Sequence, residues 1–302
     1  MIETLGGQVS PEALGWTYVH EHLLTRPPPW RAAEDPDYVL DDPELSLEEL
    51  ERFRGAGGRT LVDATARDYG RDAPALLGIA AQSDVNIVCV TGWNRGDYGD
   101  EAPKASDDKL VAIMLHDLQD GMDGTEARAG VAKLGTSESV ILPVEERIAR
   151  AVARVQAETG CPVLTHTTRG TMALEQLDLL EAEGADLGKV ALSHMDQKLD
   201  FGLLREICER GASVIFDGPS KTKYAPDSAR IAMLRRLVEA GHAMRLLVSG
   251  DMGRRSYLTA YGGRPGLAYI LRQFVPRLRR EGFGEALIET VFVQNPARWL
   301  DC

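Results

Sequence analysis

His20 and His22 stand two residues apart in the run "WTYVHEHL" (16–23). On an extended chain both would leave the same face, and Glu21 the other. Lys133 sits in the apolar run "AGVAKLG" (129–135), between Gly130 and Gly135. His166 in "PVLTHTT" (162–168), His194 in "KVALSHMD" (189–196) and Asp251 closing "RLLVSGD" (245–251) occupy comparable places. A lysine ammonium taken out of water must find a partner or lose its proton. A single histidine in such a run is ordinarily a core imidazole satisfied by hydrogen bonds. Four of the chain's six histidines, together with a lysine and an aspartate, make a different pattern. Neutral imidazoles and a carboxylate are the ligands that zinc and its neighbours take. His116 in "IMLHDLQDG" and His242 in "EAGHAMR" lack that placement and read as structural or solvated.

Eight short β-rich runs recur along the chain; the others are "RTLVDAT" (59–65), "NIVCVTGW" (86–93) and "ASVIFDG" (212–218). Between them lie amphipathic stretches such as "VEERIARAVARVQAETG", with apolar residues at 3- and 4-residue spacing and a terminal glycine. Eight β-then-α units in 302 residues predict an α/β protein, a (β/α)8 TIM barrel forming one domain over 1–302. An open doubly wound sheet is the alternative, weakened because no GxGxxG follows the first run. In a barrel the C-terminal strand ends build the active site, so all six polar residues converge on one mouth. The proline-rich segment 26–46 is then an insertion, expected as an ordered loop over that mouth.

Composition limits the partners. The net charge is −12 with 44% hydrophobic and 26% charged residues, which argues against nucleic acid, because phosphate backbones need a concentrated basic surface. No run of 18 apolar residues predicts a membrane span. The N-terminus has neither a basic start nor an apolar stretch, so no secretory leader is expected. Four scattered cysteines (89, 161, 208 and 302) without CxxC spacing suit reduced thiols in a cytoplasmic protein.

The six-residue pattern resembles that of the binuclear amidohydrolase superfamily. Within it, "SPEALGWTYVHEHLL", "GVAKLGTS", "CPVLTHT" and "LSHMD" are similar to the phosphotriesterase-related family over nearly the whole chain. The resemblance implies two divalent metal ions, zinc with manganese or cobalt as alternatives. His20, His22 and Asp251 would hold the more buried ion, and His166 and His194 the more exposed one. Lys133 would bridge both as N6-carboxylysine, with a hydroxide as second bridge. The lysine chemistry is coherent on its own terms: burial lowers its pKa and yields the neutral amine that takes up CO2. Paired metals acidify water and polarise a carbonyl or phosphoryl oxygen, and Asp251 can relay the proton. The resemblance also implies a homodimer.

The loops choose the substrate. "DGPSKTKYAPDSAR" follows the seventh run and supplies Lys221 and Lys223; "DMGRRSYLTAYGGRPG" follows the eighth and supplies Arg254 and Tyr257. Two cations and a phenol beside a metal site make a phosphomonoester pocket. The spacing is similar to the sugar-lactone-phosphate branch of the family, where Lys223, Arg254 and Tyr257 would hold the phosphate and Lys221 is the ambiguous neighbour. Trp93, Asn94 and Arg95 in "TGWNRGDYGD" are further candidate contacts. The expected reaction is opening of a phosphorylated five-membered aldonolactone, by attack of the bridging hydroxide on its carbonyl. Two alternatives remain. One is a phosphotriesterase or N-acyl-homoserine lactonase with the same metals; the other is a non-catalytic, metal-containing barrel that binds an anion.

Overall fold

The buried runs form strands because β-branched and aliphatic residues alternate between two apolar environments. A computed structural model describes residues 1–302 except 97 and 100. A hairpin, β1 (Ile2–Thr4) and β2 (Gly7–Val9), precedes the barrel. The barrel strands are β3 (Thr17–Glu21), β4 (Thr60–Asp63), β5 (Asn86–Gly92), β6 (Val131–Thr136), β7 (Val163–Thr167), β8 (Val190–Leu192), β9 (Ser213–Phe216) and β10 (Leu246–Val248). Each is hydrogen-bonded in parallel to the next in chain order, which makes a single-domain (β/α)8 barrel. Val62, Val88, Val131, Leu164, Ala191, Ile215 and Leu247 fill the interior. Their neighbours Leu61, Ile87, Ala132, Val163, Val190, Val214 and Leu246 pack outward under the helices. The helix Pro143–Thr159 shows the outer layer's logic: Ile148, Ala149, Val152 and Val155 are buried, and Gly160 ends it at φ 71°. Among the described residues no helix is long and apolar enough to cross a membrane.

Two departures from regular geometry matter for the site. In the β3–β4 ladder Tyr18 pairs with Leu61 and Glu21 with Asp63, so Val19 and His20 together oppose Val62 alone. This bulge turns His20 inward beside Val19, and His22 then shares its face. The second departure is the seam between β10 and β3, which no strand ladder closes. The Asp251 N–H donates to the His20 carbonyl at 3.0 Å, and the Ser249 hydroxyl receives the His20 N–H at 3.0 Å. Buried Glu21 accepts from Ser249 Oγ (2.8 Å), Gly250 N (2.5 Å) and Met252 N (3.0 Å).

The segment 26–46 is ordered, as expected, and contains the helix Pro29–Glu34 and a turn of 3-10 helix at Pro36–Tyr38. It lies against the chain beyond β10: Arg255 reaches the Val39 carbonyl at 2.6 Å and Asp41 at 2.5 Å. Cys89, Cys161 and Cys208 are buried free thiols, and Cys302 is exposed.

Candidate metal centre and active site

The C-terminal strand ends surround a cavity of about 330 Å3, lined by His20, His22, His166, His194 and Asp251 together with a set of cations and tyrosines. His20 comes from β3 and His22 lies one residue past its end; His166 comes from β7 and Lys133 from β6. His194 and Asp251 lie just beyond the ends of β8 and β10 rather than on them, at φ 63° and 44°. Positive φ is unfavourable for such residues and persists where the surroundings over-determine it. Here the His194 N–H donates to Asp217 at 3.0 Å, and the Asp251 N–H is held by His20.

Asp217, which sequence reasoning did not single out, organises the imidazoles. Its carboxylate meets His20 Nδ1 at 2.9 Å and His194 Nδ1 at 3.0 Å. Both rings therefore offer Nε2 on their other side, the arrangement by which a carboxylate orients metal-ligating histidines. The signal was the aspartate next to last in "ASVIFDG", two residues past inward-facing Ile215. His22 is fixed separately, with Nδ1 2.8 Å from Thr65 Oγ1.

Among the described residues, two groups of side chains could hold a cation: His20, His22 and Asp251, and His20, His194 and Asp217. His20 Nε2 and His22 Nε2 lie 3.7 and 3.5 Å from Asp251 Oδ1. Ligand atoms bound tetrahedrally to zinc stand roughly 3.3–3.6 Å apart, so this first group has the right span. Asp217 is already engaged by the two Nδ1 atoms and suits the orienting role. His166 Nδ1 faces His194 Nε2 at 2.9 Å, placing two more nitrogens beside the first group.

Electrostatics favour the neutral, metal-ready form of two of the imidazoles, whereas Asp217 raises the pKa of His194 against the opposing effect of burial. Burial pushes His20 down to about 4, against the opposing Asp217, and burial with His194 beside it pushes His166 well below its ordinary value. Both are neutral at pH 7, as ligation requires. Burial would raise the Asp251 carboxyl, but Lys221 and the histidines hold it well below the usual range. Lys133 is 1% exposed, donates to the Ala64 carbonyl at 2.5 Å, and is pushed by burial to about 8 although Asp251 and Asp68 oppose the shift.

The cations divide by partner. Lys221 is committed to Asp251, reaching Oδ2 and the backbone carbonyl at 2.7 Å each. Lys223 lies over Tyr224 (4.8 Å) and Tyr257 (5.5 Å) and is met by phenols rather than by a carboxylate. Arg254 lines the cavity, with its guanidinium tied to Asp35 and Asp37 of the insertion. Asn94 and Arg95 also line it. Trp93 does not: its indole is 2% exposed and faces a neighbouring pocket with Arg67 and Asp68. His116 pairs at the surface with Asp120 at 2.8 Å, away from the mouth.

The chain is similar to known proteins over nearly its full length. The Phosphotriesterase family model matches residues 1–300. A "phosphotriesterase homology protein" of Escherichia coli is 36% identical over 96% of this chain and 99% of its own. A "phospho-furanose lactonase" of Mycoplasmopsis agalactiae is 32% identical over 98% of this chain and 90% of its own. Among solved structures, a lactonase from Listeria monocytogenes superposes with a TM-score of 0.96 at 39% identity, covering 99% of this chain and 98% of that one.

Proposed function

We infer the reaction from one premise: this chain belongs to the phosphotriesterase family. It is a metal-dependent hydrolase of the lactonase and esterase kind. Within that class, the substrate that fits best is a phosphorylated sugar lactone, an aldono-1,4-lactone 5-phosphate. The observation that carries this reading is Lys223, a cavity-lining cation met by tyrosines and therefore available to an anion. A phospho-furanose lactonase among the relatives supports it, as does the phosphate in the active site of the Escherichia coli homologue's crystal structure.

His20, His22, His166, His194, Asp251 and a carboxylated Lys133 would hold two divalent ions. Such ions, zinc by the donor set, would supply an acidified water and a polarised lactone carbonyl. The chain's own residues do the rest. Lys223, Arg254 and the Tyr257 hydroxyl bind the phosphate and so fix the ring at a distance from the reacting bond. Asp251, kept ionised beside Lys221, accepts the proton and returns it to the departing ring oxygen.

The test compares the purified metal-loaded enzyme on one five-membered aldonolactone with and without its 5-phosphate, and on paraoxon and a long-chain N-acyl-homoserine lactone. The phosphorylated lactone should exceed each of the others in kcat/KM by at least about tenfold, the scale of one charge-assisted contact. Superior turnover of paraoxon or of the long acyl chain would replace this reading with the apolar-substrate alternative.

A further inference from the structure

Arg254 reaches the cavity from the chain beyond β10, yet its contacts come from the insertion across the mouth. Nη1 donates to Asp35 Oδ2 at 2.8 Å and to Asp37 Oδ2 at 3.2 Å, and Nη2 meets the Tyr38 hydroxyl. The guanidinium also lies 3.8 Å over the Tyr38 ring, which Arg31 approaches at 4.4 Å. A guanidinium has five N–H donors. Three are engaged by the insertion, and among the described residues the Nε–H and the second Nη2–H take no other hydrogen bond, two donors that can serve a phosphate. Asp37 is the hub of this clamp. Besides Arg254, it accepts from Ser256 N at 2.7 Å and Ser256 Oγ at 2.6 Å, so it holds the arginine and the backbone that carries it.

We propose that Asp37 is a positioning residue for substrate selectivity, acting through Arg254 to hold its free donors where a phosphorylated substrate presents its anion. The inference rests on the phosphate reading above. Two effects compete at this residue. The Asp37 charge weakens the pull of Arg254 on a dianion, whereas the clamp removes the rotamer freedom of a long side chain before the substrate arrives. Arg254 carries two carboxylates on one nitrogen and is stacked as well, so ordering dominates and loss of Asp37 loosens phosphate binding. The insertion then sets selectivity without touching the reacting bond.

The experiment measures kcat and KM for the phosphorylated and unphosphorylated forms of the same lactone in wild type, Asp37→Ala, Arg254→Ala and the double variant. For Asp37→Ala, KM of the phosphorylated lactone should rise about tenfold with kcat within about twofold, while the unphosphorylated lactone keeps its kcat/KM and so reports intact folding. In the Arg254→Ala background, Asp37→Ala should cause no further loss of selectivity, because the two act as one unit. Ser256→Ala, which removes only a hydroxyl partner, should leave selectivity within about twofold. Three results overturn the proposal: equal loss for both lactones, loss of the same size in the Arg254→Ala background, or tighter binding of the phosphorylated form by Asp37→Ala. A wild type that turns over both lactones equally removes the phosphate reading and this inference with it. A discriminating wild type with an equally discriminating Asp37→Ala removes the inference alone.

Discussion

Lys133 is the residue where burial and chemistry meet. Its type and apolar flanks in "AGVAKLG" announced a lysine with no water, and the structure places its ammonium against a carbonyl oxygen with acids acting only from farther away. Folding lowers its pKa from 10.5 to about 8, so the folded state yields the neutral amine at lower pH than the unfolded chain does. Between those values the metal-free fold gains stability as pH rises, and that contribution is lost as pH falls through about 8. Only the neutral amine reacts with CO2. At a fixed concentration of dissolved CO2, recovery of activity when apoprotein is given metal should therefore speed up from pH 7 to 9, and Lys133→Met should not recover at any pH. A pH-independent recovery would separate Lys133 from the activation. Lys223→Ala should raise KM for the phosphorylated lactone about tenfold and leave the unphosphorylated one unchanged, as steady-state kinetics would show. At this scale the histidines, Lys133 and Asp251 were legible because each is a polar residue in an apolar run. Asp217 was not, since an aspartate before Gly-Pro reads equally well as a turn, and its two imidazole partners lie 23 and 197 residues away. The acids on Arg254 were hidden for the same reason, at separations of 219 and 217 residues.

The strands were legible to within four residues at their ends, and what escaped was irregular geometry. The β3 bulge leaves no compositional trace, yet it is what puts His20 on the inner face. His194 and Asp251 read as strand residues because strand-like composition continues past β8 and β10, whereas the ladders stop at Leu192 and Val248 and both residues lie beyond them with left-handed backbones. The short helix in 26–46 was masked by its prolines, which suit a first helical turn as well as a loop. Glycine marks one close approach that bears on the site. Gly92 has φ +94°, and a Cβ there would stand 2.2 Å from the carbonyl oxygen of Lys133, its partner in the β5–β6 ladder. Gly92→Ala should cost about 2–4 kcal/mol in urea melts and lower activity by moving Lys133. Gly241 has φ +89° with open space around its Cβ position, so Gly241→Ala should cost about 1 kcal/mol and leave activity alone. Similar costs at both positions would show that strain, not the approach to Lys133, sets the penalty at Gly92.

Across the whole molecule, an acidic chain of net charge −12 gathers Arg31, Arg95, Arg169, Lys221, Lys223 and Arg254 around one cavity. Composition gave the total but not this segregation, which arises because loops distant in sequence meet at the strand ends. The barrel itself was legible from its eight runs; how it closes was not. His20 and His22 stand on one side of the seam and Asp251 on the other, so a cation bound to all three would tie β3 to β10. Metal at a hundred times its Kd adds about 2.7 kcal/mol, enough to raise Tm by roughly 4 °C in a chain of this size. Calorimetry with and without chelator checks this, and an unchanged Tm would mean that the three residues bind no ion in the folded protein. Amide exchange locates the effect: the protons of His20, Gly250, Asp251 and Met252, which cross or flank the seam, should be protected by metal far more than those of the β6–β7 ladder. Metal starvation would then appear first as breathing of one joint while helices and neighbouring strands keep their signals. A preparation stripped during purification could pass every test of secondary structure and still present an open-sided barrel with an exposed strand edge, prone to pair with a second copy.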